Sequence, residues 1–328
     1  MFGTMMRDRL LISSFLVHAA HHHADTEIVS VDISGSTEIS TWRQVECNAR
    51  QMASALGRLG VRQGDRCATI AWNNRRHLEI YYAASGGGMV CHTINPRLPP
   101  ESLIYVINDA EDQVLFIDRS FLQVTVNLLP HLKSVKHVIL MGPKDPEALA
   151  VIPELLFYDD LIASGDSAFA WPDFDEIAPS SLCYTSGTTG HPKGVLYTHR
   201  STVLHSLAAN GPDGLAISAR DVVMPVVPMF HVNAWGVPYI AAAQGAKLVL
   251  PGPFLDGDSL ATLIDKEEVT LALGVPTIWM GMLQALQKEP KRWTLQKNLR
   301  MVCGGAAAPE SMIRAFDQFG MRVIHGWG

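Results

Sequence analysis

The chain has 328 residues, 48% hydrophobic and 18% charged, with 26 Lys plus Arg against 32 Asp plus Glu for a formal net charge of −6. At roughly 150 residues per domain this length corresponds to about two domains or subdomains, each able to bury a core without disulfides or metals. Collagen-like, disordered and miniprotein classes are excluded, and basic residues scattered along a mildly acidic chain make no clustered face for a phosphate backbone, so no nucleic-acid partner is expected.

The chain opens with Arg7-Asp8-Arg9 and an apolar run over residues 10–17. This has the outline of a signal peptide, but the run is short, broken by Ser13-Ser14 and preceded by an acid. Leu11, Phe15 and His18 fall at helical spacing, which predicts an amphipathic surface helix. His18, His21, His22 and His23 crowd its end; with no Cys, Asp or Glu at a matching spacing they read as a solvated helix end rather than a metal site. Further on, Thr41-Trp42-Arg43-Gln44 has the form of a capping box, and Val45, Ala49, Met52, Leu56 and Leu59 recur once per helical turn up to Gly60, predicting a second helix.

Apolar runs then predict strands at 67–72, 89–94, 114–117, 138–141, 182–184, 195–198, 222–226, 247–250, 270–273, 301–303 and 323–324, with helical patterns between most of them. Strands that are short and continuously apolar, joined by helices, imply layered, mostly parallel sheets covered on both faces: an α/β fold whose ligands sit beyond the carboxyl ends of strands. The aperiodic, acidic stretch Trp171-Pro-Asp-Phe-Asp-Glu-Ile-Ala-Pro-Ser180 reads as a linker between a first subdomain, residues 1–176, and a second, residues 177–328. Cys47, Cys67, Cys91, Cys183 and Cys303 form no C-x-x-C pair and read as reduced thiols of a cytoplasmic protein. No segment reaches the roughly eighteen apolar residues of a spanning helix. His77-Leu-Glu79 reads as a helix surface, Gly86-Gly-Gly88 as close helix-to-strand packing, and there is no G-x-S-x-G nucleophile elbow.

The segment richest in chemistry is Tyr184-Thr-Ser-Gly-Thr-Thr-Gly-His-Pro-Lys-Gly194, placed between two predicted strands. Gly187 and Gly190 let backbone N–H groups approach an anion, Thr185, Ser186, Thr188 and Thr189 offer hydroxyls, and Lys193 adds a mobile positive charge. This is a phosphate cradle, although its order differs from the common G-x-x-x-x-G-K-[ST] loop that opens a helix.

The segment resembles the phosphate-binding loop of the adenylate-forming (AMP-binding) superfamily. Pro228-Met-Phe-His-Val-Asn-Ala-Trp-Gly236, Val302-Cys-Gly-Gly-Ala-Ala-Ala-Pro309 and Ile324-His-Gly-Trp-Gly328 occur in the family's order and at about its spacing. Gly88-Met-Val-Cys-His-Thr-Ile-Asn-Pro-Arg-Leu98 and Ser181-Leu-Cys-Tyr184 are similar to bacterial fatty acid–CoA ligases, the medium-chain branch being nearest. The resemblance implies ATP-dependent activation of a carboxylic acid to an acyl-adenylate, then transfer to coenzyme A. It assigns the β- and γ-phosphates to Thr185, Ser186, Gly187, Thr188, Thr189, Gly190 and Lys193, with the Thr185 hydroxyl meeting Mg2+. Gly304, Gly305 and Ala306 match the turn against the adenylate, and His325, Gly326 and Trp327 match the segment packing on adenine.

A lone histidine at an apolar strand end is more often a core residue than a catalyst. The motif context reverses that for His231, which matches a residue beside the acyl phosphate, while Val232 and Trp235 match the acyl-channel entrance. Gly274-Val-Pro-Thr-Ile-Trp279 resembles another part of the channel wall. These segments supply no cation or carboxylate, so an alkyl tail is favoured, at about 0.8 kcal/mol per buried methylene. The implied partners are a fatty acid, ATP and coenzyme A; peripheral membrane contact and a homodimer are compatible with the resemblance.

His191 stands where the family often has asparagine. Immediately after Gly328 the family continues with a threonine, a magnesium-binding glutamate, a ribose-binding aspartate, and a small domain carrying the adenylation lysine. The resemblance therefore implies a truncated copy of a longer enzyme, nearly inactive alone, since losing one such donor costs about a hundredfold to a thousandfold in rate. The alternatives are an adenylation enzyme serving another acid or a carrier protein, and a non-catalytic nucleotide-binding remnant.

Overall fold

A run of four or five apolar side chains needs cover on both faces, which a strand inside a helix-flanked sheet provides. The structure, a computed structural model that describes residues 3–185 and 191–326, arranges these runs in two sheets of seven strands. In chain order the strands are β1 (Glu27–Val31), β2 (Thr37–Thr41), β3 (Arg66–Ile70), β4 (Val90–Thr93), β5 (Val114–Ile117), β6 (His137–Leu140) and β7 (Leu156–Phe157). They continue with β8 (Pro179–Thr185), β9 (Lys193–Thr198), β10 (Val222–Pro225), β11 (Lys247–Leu250), β12 (Leu271–Gly274), β13 (Arg300–Cys303) and β14 (Arg322–His325). One sheet has the order β7-β6-β5-β3-β4-β8-β9 and the other β14-β13-β12-β10-β11-β1-β2. Pairing is parallel except at β1–β2 and β8–β9, so the expected layered α/β fold is what forms.

The strands before and after residue 176 do not sort by sheet. β1 and β2, from the N-terminal part, extend the sheet of β10 to β14, while β8 and β9 complete the sheet of β3 to β7. Residues 165–178 carry no helix or strand, in keeping with the aperiodic stretch read there. β1, β2 and β7 were not among the predicted strands. β2, Thr-Glu-Ile-Ser-Thr, is an edge strand largely exposed, so it carries no apolar run to read.

The first four helices of the chain are α1 (Ser13–His22), α2 (Trp42–Arg58), α3 (Arg75–Gly86) and α4 (Pro100–Asp109). In α2 the capping box is present in both directions, Thr41 Oγ1 accepting from Gln44 N and Gln44 Oε1 from Thr41 N, and Val45, Ala49, Met52 and Leu56 are buried as expected. In α1 Ile12, Leu16 and Ala19 are fully buried, with Leu11 buried and Phe15 partly buried beside them and His18 exposed, because α1 packs against both α2 and the helix Val237–Gln244.

α3 overturns the surface reading of His77 and Glu79. It touches β4 and β8 of one sheet and β1 of the other, leaving no solvent face. Both residues are fully buried and must be satisfied internally. His77 meets Thr69 Oγ1 at 2.9 Å and Trp72 O at 3.0 Å, and burial draws its pKa down to about 4. Glu79 accepts from Arg75 at 2.7 Å, Asn48 at 2.8 Å and the Tyr158 hydroxyl at 2.6 Å. The close approach expected at Gly86 is real, but its partner is an indole from the aperiodic stretch: an added Cβ would lie 2.8 Å from Trp171.

Candidate active site

β8 and β9 form a hairpin at the edge of their sheet, with Thr185 paired to Lys193. Both residues are exposed, and the Thr185 hydroxyl lies 3.4 Å from Lys193 O. The stems of the expected phosphate loop are thus side by side; Ser186, Gly187, Thr188, Thr189 and Gly190 lie outside the described residues, as does Trp327.

After β10 the chain crosses the carboxyl ends of both sheets, and buried polar groups fix its path. Asn73, just past β3, donates through Nδ2 to Pro225 O at 2.8 Å and Val227 O at 2.9 Å and accepts from Met229 N at 2.7 Å. Tyr81 donates to Met229 O, and the Thr93 hydroxyl lies 3.4 Å from Phe230 O. The backbone then turns left-handed: φ is 46° at Val232, 49° at Asn233, 50° at Ala234, 56° at Trp235 and 79° at Gly236. Four consecutive non-glycine residues in this region, one of them β-branched, constitute real strain. Asn233, buried, anchors the turn by donating to Ser181 Oγ at 2.8 Å. At Gly236 a Cβ would lie 2.9 Å from the His205 ring.

The turn faces two ways. On one side His231 shares a cavity of about 190 Å³ with Thr93, Tyr184, Thr185, Pro192 and the buried His92. Burial lowers the His231 pKa below its ordinary 6.5, so at neutral pH the ring is uncharged and offers one N–H and one lone pair. On the other side Trp235 lies over Gly304, where an added Cβ would be 3.0 Å from the indole and 3.3 Å from Gly326 O. Gly305 takes φ 78°, and Gly326 N donates to Cys303 O at 2.9 Å, placing His325 and Gly326 beside the Gly304–Gly305 turn. Gly274 O, on the neighbouring strand, accepts from Gly304 N at 3.3 Å. Trp279 departs from the expected channel wall: it is fully buried beneath Gly274, with Nε1 donating to Val302 O at 3.1 Å, and Val275 is the residue that approaches Gly305.

Among the described residues no group of three His, Cys, Asp or Glu side chains is placed to hold a metal ion. Thr185 supplies a single hydroxyl, which suits a magnesium ion arriving with nucleotide phosphates, since Mg2+ keeps waters and takes few protein ligands. The five cysteines are unpaired. A larger cavity of about 670 Å³ lies elsewhere, at the ends of β3, β5 and β6, and touches none of the expected site residues. Its guanidinium groups are already paired, Arg75 with Glu38 and Glu79, Arg76 with Asp159 and Arg119 with Asp145.

Sequence reasoning did not single out Asn73 or Asn233, although both shape the site. Asn73 follows directly on a strand, where α/β folds place binding residues, and that position was the available signal.

Residues 16–328 match the family model described as AMP-binding enzyme. The chain is 58% identical to a 3-methylmercaptopropionyl-CoA ligase of Ruegeria lacuscaerulensis, covering 100% of this chain and 61% of the relative. It is 56% identical to a medium-chain-fatty-acid–CoA ligase of Ectopseudomonas oleovorans, over 100% of this chain and 60% of the relative; the chain thus spans about three fifths of the curated relatives it matches. A crystal structure of the anthranilate CoA ligase AuaEII with anthranoyl-AMP superposes with TM-score 0.88 at 21% identity, over 100% of this chain and 61% of that one, a likeness of fold. No helix among the described residues is long and apolar enough to cross a membrane. The fold, the motif order and the match over nearly its whole length together make this chain a member of the AMP-binding enzyme family.

Proposed function

We propose that the chain carries the nucleotide- and acyl-binding residues of a fatty acid–CoA ligase, a cytoplasmic enzyme that activates an apolar carboxylic acid with ATP and passes the acyl group to coenzyme A. The observation that carries this reading is the left-handed turn from His231 to Gly236, which adjoins the Thr185 stem on one side and the Gly304–Gly326 contact on the other. One short segment thereby spans the places where phosphates, acyl carbon and adenylate would lie. The names of the relatives support the reaction class.

In the first step a carboxylate oxygen bonds to the α-phosphorus and the bond from that phosphorus to the β-phosphate bridging oxygen breaks, releasing pyrophosphate. Lys193 and the Thr185 hydroxyl hold the departing phosphates, and catalysis of such a displacement is chiefly positioning and charge stabilisation. The backbone at Gly304, Gly305 and Ala306 would lie against the adenylate, with His325 and Gly326 toward adenine. Neutral His231 can donate one hydrogen bond to the acyl-phosphate oxygens without competing for their charge. Magnesium, when bound, neutralises phosphate charge. In the second step the coenzyme A thiolate bonds to the acyl carbon and AMP leaves with the electrons of the carbon–oxygen bond. Val232, Trp235, Gly274 and Val275 carry no charge, which favours alkyl or thioether acids over amino acids.

Titration calorimetry with ATP tests the loop: Lys193→Ala is expected to weaken binding about tenfold, the scale of one lost charge-assisted hydrogen bond in a partly wet site. Binding unchanged by the substitution sinks the assignment. Pyrophosphate exchange, measured on the full-length protein, is expected with fatty and thioether acids; exchange confined to amino or aryl acids overturns the substrate class.

A further inference from the structure

We propose that α4 is the mount of the phosphate loop, with Tyr105 and Asp109 as positioning residues that set how tightly ATP is held. The inference rests on the proposed nucleotide site and adds residues to it that touch neither phosphate nor acyl group.

β8 is held on both sides, by β4 and by β9, and its central residues are buried. β9 is an edge strand, paired on one side only, and Lys193, Gly194, Val195 and Leu196 at its start are exposed. α4 grips both stems. At the first, the Tyr184 hydroxyl donates to Asp109 Oδ2 at 2.6 Å, the length of a charge-assisted bond. At the second, the His191 ring stacks on Tyr105 with centroids 4.6 Å apart and planes 20° apart. Tyr105 and Asp109 are four residues apart, one turn along a single helix face, so one helix face meets both stems, beside the ladder that pairs Thr185 with Lys193.

The mount is itself anchored. Leu103, Val106 and Ile107 of α4 are buried in the core of the first sheet. Just beyond its end the buried Asp112 lies 2.8 Å from His92 Nδ1, and the His92 ring packs 5.2 Å from the Tyr184 ring, bracing the first stem from behind. Burial and the neighbouring Asp109 carboxylate both raise the Tyr184 pKa, which keeps the phenol protonated and able to donate. The contact at the second stem depends on a ring at 191, where the resembling family often has asparagine.

The test is ATP calorimetry on this chain, with KM for ATP and for the acid measured by pyrophosphate exchange on the full-length protein. Asp109→Ala and Tyr184→Phe are each expected to weaken ATP about five- to tenfold, with the double variant no weaker than either single one, because both remove the same bond. Tyr105→Leu and His191→Asn are expected to weaken ATP about threefold, again without additivity, and Tyr105→Phe restores most of the loss because the ring is what stacks. The acid KM stays within about twofold throughout, which a general loss of structure would not produce. Wild-type binding with all single variants within twofold of it, additive losses, or a Tyr105→Phe variant as weak as Tyr105→Leu overturns the mount alone. Absence of ATP binding by the wild-type chain overturns the nucleotide reading, and the mount with it.

Discussion

Replacing Asn233 with alanine is expected to unfasten the turn on which the whole candidate site depends. Val232, Asn233, Ala234 and Trp235 all have φ between 46° and 56°. An L-residue in a left-handed helical turn costs roughly 1–2 kcal/mol, so four of them store on the order of 4–8 kcal/mol that the surroundings must offset. Asn233 is suited to this backbone and contributes the anchor: its Nδ2 donates to Ser181 Oγ at 2.8 Å, and its Oδ1 accepts a weaker contact from Cys183 at 3.4 Å. Alanine removes one good buried hydrogen bond and strands the fully buried Ser181 hydroxyl, a combined loss of about 2–4 kcal/mol. Urea unfolding of both proteins under identical conditions measures it, as a lowered midpoint at unchanged slope. Val232→Gly supplies the opposite sign: relieving a β-branched residue at positive φ should stabilise by about 1 kcal/mol after the entropy cost of glycine. A loss below about 0.5 kcal/mol for Asn233→Ala, together with a destabilising Val232→Gly, would falsify the view that this turn is strained and held by its asparagine.

Gly304→Ala places a methyl group 3.0 Å from Trp235 and 3.3 Å from Gly326 O; the indole can move and the backbone cannot, so intrinsic tryptophan fluorescence should change and acid activation should fall about tenfold, an unaltered spectrum and rate counting against this seating of Trp235. Acid should destabilise the fold. His77 and His199 are buried, and burial draws each pKa from 6.5 to about 4. Between those values the unfolded chain binds more protons than the folded one, so their contribution is full above pH 6.5 and is lost as pH falls toward 4. Asp118, pushed up to about 6 by burial, acts in the opposite sense, because the folded state takes up a proton as pH falls through that value, before the unfolded chain does. The buried Asp112, also raised, acts with Asp118, while Asp221, held low by its hydrogen bonds and Arg300, acts with the histidines; a net loss of stability between pH 7 and 4 is expected, and equal unfolding free energies at the two pH values would rule this account out.

Most strands and the capped helix α2 were legible in the sequence because their signals are local. A fully covered strand announces itself in four adjacent apolar residues, as at Val114–Ile117, and a capping box needs only Thr41 and Gln44. Helix faces were less legible. α1 offers two adjacent apolar stripes, and only its neighbours select Ile12, Leu16 and Ala19. His77 and Glu79 read as polar surface because the sequence of α3 does not show that a sheet lies on each side of it; that placement buried both and gave each its own hydrogen-bond partners.

The same division holds at the site. The sequence by itself determined the chemistry on offer: a threonine- and glycine-rich loop closed by Lys193, a histidine in an apolar segment, and glycines where backbone must come close. Such features lie within a few residues of one another and follow from residue type. Tertiary structure alone decided how they meet, through contacts between residues far apart in the chain: Asn73 bonded to Pro225 and Val227, Ser181 to Asn233, and Asp109 to Tyr184. These pairings depend on strand order, and strand order is set by which buried faces fit together across the whole molecule. That is also why a run of four left-handed residues can persist between the two sheets: no local preference favours it, and packing and buried hydrogen bonds from both sheets hold it in place.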